Sequence, residues 1–278
     1  MNDMTYEDIY IFGYRAEVDA AISTNSESAL RSQSCRVSIV IPAYGEGAAV
    51  LPVLARIAES VSLSYEVIVV VDAVDDVTLT TIQDQLRAST AVRVAVNAYG
   101  PGPANAIRYG VDHASAPVVV VTMADGSDDP LVIDDLVRLV ERGVVVAAAS
   151  RYMPGGQLVG APFVKRTLSR LAGRSLHALA RVGTRDATNS FKAYAADFVR
   201  EVGIDSRHGF EIGIELTAKA RRLRRPVAEL PTIWLERQLG ESRFRLVAWL
   251  PHYLHWYFLA FGPRLDADAL RRKTRVDR

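Results

Sequence analysis

The sequence predicts an α/β fold: a mostly parallel β-sheet flanked by helices. Three observations predict it. Residues 37–41, 67–71 and 118–121 are apolar runs rich in β-branched residues, which suit strands buried on both faces. Segments of helical length separate them, and strands that alternate with helices pair in parallel through right-handed crossovers. Acids follow two of the runs, Asp72 and Asp125, which places them at the edge of such a sheet where ligands bind.

The elements follow in order. Residues 1–35 are a polar N-terminal extension; 25–34 is a Ser-rich connector, and 4–22 is predicted as a short helix packed on the main body. The main domain is expected over 36–240. Its first strand, 37–42, leads through a turn at 43–47 into a helix over 48–60. The second strand, 65–72, ends in an acid, and Asp75 and Asp76 open a helix over 78–88. The third strand is 92–97. Gly100-Pro101-Gly102-Pro103 makes a rigid turn before a helix over 104–113. The fourth strand starts at Val118; Pro130 suits the first turn of a helix over 131–142. A fifth strand spans 143–150. Next come a loop at 151–156, a basic amphipathic helix over 164–182, and a loop entering a short strand across 186–194. A helix over 211–222, with one apolar side, and a strand over 227–234 complete this domain. Residues 241–278 are expected as an amphipathic aromatic helix, over 246–261, and a frayed basic tail. Pro251 breaks or kinks that helix in this reading.

Of the 278 residues, 49% are hydrophobic, enough for a sizeable core, and the net charge of +1 argues against a general nucleic-acid binder. The charge is unevenly spread. From Glu215 to the end there are 14 Lys and Arg against 7 Asp and Glu, whereas Arg15 is the one base in the first thirty residues. A basic C-terminal end suits an anionic ligand or an anionic membrane surface. Cys35 is the single cysteine, so no internal disulfide and no cysteine-rich metal site forms, and a reducing, cytoplasmic setting fits. No signal peptide is expected, and no uncharged apolar run of about 18 residues makes a spanning helix.

The chemistry concentrates at Met123-Ala-Asp-Gly-Ser-Asp-Asp-Pro130. Hard divalent cations take oxygen ligands, so Asp125 with Ser127 and Asp128 is a candidate seat for Mg²⁺ or Mn²⁺. Asp128 or Asp129 serves equally as a helix cap. No Gly-x-Gly-x-x-Gly follows the first strand and no Gly-Lys-Ser/Thr is present, which removes a dinucleotide fingerprint and a P-loop.

Several stretches together resemble family two of the glycosyltransferases, the inverting enzymes of GT-A fold. They are Val37-Ser-Ile-Val-Ile-Pro-Ala-Tyr-Gly-Glu46, with Gly45 where the family has Asn, the strand and acidic loop from Glu66 to Asp76, and the acidic stretch at 123–130. Ser150-Arg-Tyr-Met-Pro-Gly-Gly156 and Asp186-Ala-Thr-Asn-Ser-Phe-Lys-Ala193 are similar to acceptor-side segments of the polyprenyl-phosphate hexosyltransferase branch, as is Arg237-Gln-Leu-Gly-Glu-Ser-Arg243. Met123 stands where the family's Asp-x-Asp pair has its first acid, so Asp125 alone matches that pair. The Gln-x-x-Arg-Trp segment of processive members is absent, against a polysaccharide synthase.

The resemblance implies a hexosyltransferase using a GDP- or UDP-sugar, with Asp125 as main metal ligand, and a lipid phosphate or a small alcohol as acceptor. Pro42, Tyr44, Glu46, Asp72, Gly102 and Asn105 would surround the nucleotide. Arg237, Ser242 and Arg243 would grip a phosphate, Arg being suited to bidentate contact. Asp186 and Glu211 are the candidate bases if the acceptor is a hydroxyl; a lipid phosphate, already ionised, needs only positioning. Asp72, Glu46 and Glu211 have bland alternatives, as a turn acid, a first-turn charge and a cap. Trp249, Tyr253, Trp256, Tyr257, Phe258 and Phe261 suit peripheral contact with the inner face of a membrane, core packing, or a second copy of the chain. The loss of the acid at 123 also admits a catalytically weak nucleotide-sugar binder.

Overall fold

The computed structural model describes residues 35–86, 89–236 and 246–274. The predicted helix over 4–22 lies outside them, as do Arg237, Ser242 and Arg243. Seven strands form one sheet in the order β3-β2-β1-β4-β7-β5-β8. β1 (Val37–Ala43), β2 (Tyr65–Val71), β3 (Val92–Val96) and β4 (Val118–Val121) are parallel. β7 (Lys192–Ala195) sits between β4 and β5 (Val146–Ser150) and runs antiparallel to both, so β5 and its parallel neighbour β8 (Val227–Pro231) keep the direction of β4. The mostly parallel α/β expectation is borne out.

The first half follows its sequence pattern. All four residues of β4 are buried, and each Val removed from water contributes ~1.5–3 kcal/mol. Helices α1 (Val50–Ser60), α2 (Val77–Gln85), α3 (Pro103–Asp112) and α4 (Ile133–Glu141) fill the crossovers. Ile39 and Ile41 pack with Leu54 and Ile57 of α1 and Leu136 of α4, while Val40 turns to the opposite face with Ala106 of α3. That alternation is the two-residue period of a strand. Local chemistry sets the helix starts. The Asp76 carboxylate accepts from the Thr78 N–H at 2.8 Å, and Asp129 accepts from the Leu131 N–H at 3.2 Å at the 3₁₀ turn Pro130–Val132 that opens α4. Gly102 adopts φ 113 before Pro103, a conformation that a side chain would strain.

The second half departs more from expectation. The helix foreseen over 164–182 is α5 (Phe163–Ser175) followed by a π turn, Leu176–Ala180, ended by Arg181 in the left-handed region. The strand foreseen over 227–234 is two strands. Pro231, which has no N–H to donate, closes β8, and the chain steps away to β9 (Ile233–Leu235), which pairs with β6 (Gln157–Val159) in a small sheet. A short helix, α6 (Ala196–Val202), follows β7 without having been foreseen. The helix expected to show one apolar side, α7 (Ile212–Leu223), is buried almost all round. Its buried Lys219 is paired: Nζ lies 2.6 Å from Glu215 and 2.7 Å from Asp205. The aromatic helix α8 (Leu246–Leu259) runs on through Pro251 without a break. The buried Arg222 fastens its end by donating to the Leu259 and Pro263 carbonyls at 2.9 and 2.5 Å. The stretch foreseen as a frayed tail holds a helix, α9 (Ala267–Thr274).

α5 approaches the 185–186 loop through Gly173, where an added Cβ would lie 2.0 Å from the Arg185 carbonyl oxygen. Backbone on both sides leaves little room to yield. Gly173→Ala is expected to lower stability by about 1–3 kcal/mol, the range for overpacking, as measured by denaturant unfolding. An unchanged midpoint would show that α5 shifts freely.

Candidate active site

Strand direction decides what meets at one edge. The parallel strands bring the segments after β1, β2, β4, β5 and β8 to the same side, and the antiparallel β7 brings the segment before it there too. A cavity of about 530 Å³ opens at this edge. Pro42, Tyr44 and Glu46 from the first turn, Asp72 from the second, and Gly102 line it together with Met123, Asp125, Ser127 and Asp128. Arg151, Thr188, Asn189, Ser190, Phe210, Trp234, Trp249 and Tyr253 form the remaining wall with Glu236.

The first-turn loop is held from outside. Asp76 accepts from the Gly45 N–H at 2.9 Å, and the Thr78 hydroxyl accepts from the Glu46 and Gly47 N–H groups at 3.0 and 3.1 Å. Asp72 holds both ends of one loop: one oxygen takes the Asn97 amide at 3.0 Å and the other the Gly102 N–H at 2.8 Å. It thus fixes the 97–102 loop as well as facing the cavity. Asn105 does not line the cavity. It is buried in the first turn of α3, where its amide donates to the Pro101 carbonyl at 3.3 Å.

At the end of β4 the three candidate metal ligands stand together. Asp125 accepts from the Ser127 N–H at 3.0 Å. Asp128 is 7% exposed and accepts from the Thr122 hydroxyl at 3.0 Å and the Met123 N–H at 3.2 Å. Burial, and then the negative charge of Asp125, push the Asp128 carboxyl up to about 7, against those hydrogen bonds and Arg151. Two carboxylates that repel, beside a hydroxyl and facing a cavity, are an oxygen donor set that a hard divalent cation suits. The set is small: no group of three His, Cys, Asp or Glu with metal-ligating geometry occurs among the described residues. Asp129, by contrast, caps the turn at Pro130 and lies 3.6 Å from Arg56.

Two predicted bases are engaged elsewhere. Asp186 is fully buried and does not line the cavity; Arg151 grips it, with Nε at 2.8 Å, Nη2 at 2.9 Å and the backbone N–H at 2.9 Å. Burial alone would raise the Asp186 carboxyl, but the guanidinium outweighs it and holds the group below the usual carboxylate range. Asp186 therefore positions Arg151. Glu211, 1% exposed, takes the N–H groups of Arg207, His208 and Gly209 at 3.3, 3.0 and 2.6 Å, so it ties a loop rather than facing the cavity. These contacts leave neither carboxylate on the cavity wall.

Arg151 belongs to the 150–156 stretch that is similar to an acceptor-side segment. Besides the large cavity it lines a second, of about 150 Å³, between α5 and α8. That one is walled by Leu158, Leu168, Ala172, Ile214, Leu250, Leu254 and Tyr257, and shares Arg151, Thr188, Trp234 and Tyr253 with the first. At the shared wall the Ser169 and Thr188 hydroxyls are 2.7 Å apart, and Arg151 Nη2 lies 3.5 Å from Ser169. The chamber that bears the acids thus meets a more apolar one at a fixed, positively charged guanidinium.

With this geometry in place, comparison with known proteins identifies the family. The family model described as glycosyl transferase family 2 matches residues 38–203. The chain belongs to glycosyltransferase family 2. Among similar proteins of this kind is the undecaprenyl-phosphate mannosyltransferase of Micrococcus luteus, 29% identical over 216 residues, which cover 75% of this chain and 87% of the relative. The dolichol-phosphate mannosyltransferase of Pyrococcus furiosus is 30% identical over 81% of this chain, and the chain spans 63% of that relative. The polyprenol monophosphomannose synthase of Mycolicibacterium smegmatis is 30% identical over 75% of this chain and 80% of its own. Among solved structures, glucosyl-3-phosphoglycerate synthase from Mycobacterium tuberculosis, in complex with Mn²⁺, UDP and glucosyl-3-phosphoglycerate, superposes with a TM-score of 0.61. At 17% identity, covering 91% of this chain and 85% of the other, that likeness shows the fold alone, here a GT-A-like one. The protein is thus a glycosyltransferase, and no described helix is long and apolar enough to cross a membrane.

Proposed function

We propose that this glycosyltransferase moves a hexose, with inversion, from a nucleoside-diphosphate sugar to a polyprenyl phosphate. The observation that carries the reading is the meeting, at Arg151, of the cavity that bears the acids with a more apolar one. The donor would occupy the chamber that bears the acids, its nucleoside between Pro42, Tyr44, Glu46 and Asp72 and its diphosphate toward Asp125. The acceptor's phosphate would face Arg151 and its first isoprene units the apolar chamber.

A divalent cation, Mg²⁺ or Mn²⁺, would be held by Asp125, with Ser127 and Asp128, and would neutralise charge on the departing diphosphate. The solved neighbour's Mn²⁺ supports this for the fold class. The engagement of Asp186 and Glu211 supports a phosphate over a hydroxyl acceptor. A phosphate oxygen is ionised near neutral pH and needs orientation, whereas a hydroxyl needs a base. A peripheral seat on the membrane fits the same reading. Exposed Phe163, Leu168 and Leu171 of α5 interleave with Arg166, Arg170 and Arg174, and exposed Leu250, Leu254 and Phe258 of α8 extend the apolar face.

The test is direct. The full chain is incubated with GDP-mannose or UDP-glucose, Mn²⁺ and a polyprenyl phosphate in detergent or vesicles. Mannose is tried first because three relatives carry it in their names. Sugar passing into the lipid-extractable fraction, and ceasing on chelation of the metal, is the expected outcome. Transfer to a water-soluble acceptor alone, with the lipid ignored, would replace this reading with the soluble-alcohol one.

A further inference from the structure

A third cavity, of about 270 Å³, lies away from the sheet edge, between the end of α6, the 203–207 loop and α9. Arg200, Arg207 and Arg271 line it with Val202, Gly203, Ile204 and Asp205. We propose that it is an anion site for a phosphate group, distinct from the donor and acceptor chambers.

The argument is one of charge balance. Asp205 is the carboxylate on the wall, and its Oδ2 is already taken by Lys219 Nζ at 2.7 Å. Lys219 also takes the Gly203 carbonyl at 2.9 Å and the Val202 carbonyl at 3.4 Å, so the negative end of α6 is answered from behind. Lys219 also pairs with Glu215 at 2.6 Å and Arg200 with Asp197, so one positive charge is left in excess around the space, Arg207 and Arg271 making no ion pair with a carboxylate among the described residues; like charges sharing a space repel until an anion joins them. The arginines are held differently. Arg271 is braced by donating Nε to the Glu201 carbonyl at 2.7 Å. Arg200 is paired with Asp197 at 2.8 Å, but that pair is 62% and 98% exposed, worth little and readily exchanged. Arg207 has its backbone N–H fixed by Glu211 at 3.3 Å. Arginines from a helix, a loop and a second helix line this one cavity, and planar guanidiniums suit the oxygens of a phosphate. Such a group comes either free in solution or on the headgroup of an anionic lipid.

The experiment follows thermal unfolding of the full chain during titration with inorganic phosphate, against Arg200→Gln/Arg271→Gln and against Arg207→Gln alone. Arg207→Gln serves because the Arg207 side chain makes no hydrogen bond or ion pair among the described residues, and its backbone N–H bond to Glu211 is kept. An Arg138→Gln/Arg142→Gln protein controls for loss of two positive charges elsewhere. Phosphate is expected to raise the midpoint of the wild type and of the control. The apparent affinity should fall at least ten-fold in the double variant and measurably in Arg207→Gln. Equal phosphate response in all four proteins would overturn the site. Co-sedimentation with phosphatidylglycerol vesicles, against phosphatidylcholine, separates the sources. Binding that weakens in the double variant assigns the site to a lipid headgroup; unchanged sedimentation with a lost phosphate response assigns it to free phosphate. Neither readout involves sugar transfer, so the result stands whatever the acceptor proves to be.

Discussion

Asp125→Asn is expected to reduce sugar transfer by roughly 10²–10³-fold while leaving the unfolding midpoint in place. The substitution removes one negative charge from the strand-end shelf. An asparagine oxygen still accepts the Ser127 N–H now held at 3.0 Å, so the 125–127 turn survives. What goes is the full charge that would hold a cation against a leaving diphosphate. Asp128 does not substitute for it, being buried and tied to Thr122 and Met123. Initial rates at saturating donor and Mn²⁺, with thermal unfolding in parallel, check this. A variant within ten-fold of the wild type would mean that the shelf carries little of the chemistry, and the weak-binder reading prompted by Met123 would return for this site.

The parts of this molecule legible in its sequence are those that local patterns determine. The Val-rich runs became β1, β2 and β4 because a strand buried on both faces has no need of alternation. The cavity's first wall could be listed early because parallel strands deliver their ends to one edge, whatever the loops do. Asp129 and Asp76 were readable as caps because a cap binds a neighbour in the chain. The contacts of Asp186 and Glu211 were not legible, for the opposite reason. The partner of Asp186 is 35 positions away at Arg151, and the partners of Glu211 are backbone N–H groups, which sequence does not display. The signals for Arg151 were the likeness of 150–156 to an acceptor-side segment and a charge placed directly after an apolar strand. The apolar chamber was unreadable, since it exists only where α5 and α8 close on each other. Chain breaks misled in the other direction. Pro251 did not interrupt α8, whereas Pro231 ended β8, because the one sits in a helix and the other at the end of a sheet strand, where the next N–H partner lies elsewhere.

The Arg151–Asp186 pair yields the other large expected effect, in two separable forms. Asp186→Asn leaves a guanidinium 9% exposed without its counter-charge, and breaking such a buried pair costs about 3–5 kcal/mol. A urea midpoint lowered by that amount is expected, together with loss of transfer, so this variant alone does not separate fold from function. Arg151→Lys does. It keeps the positive charge beside Asp186, so much of the stability is retained, but a single ammonium cannot hold both carboxylate oxygens and still present a fixed edge to the chamber. Its KM for polyprenyl phosphate is expected to rise at least ten-fold, with KM for the nucleotide sugar little changed, because the donor chamber's other walls are intact. Equal rises in both constants would place Arg151 in general support of the cavity. No rise in either would detach it from the acceptor, and the junction of the two chambers would then need a different occupant.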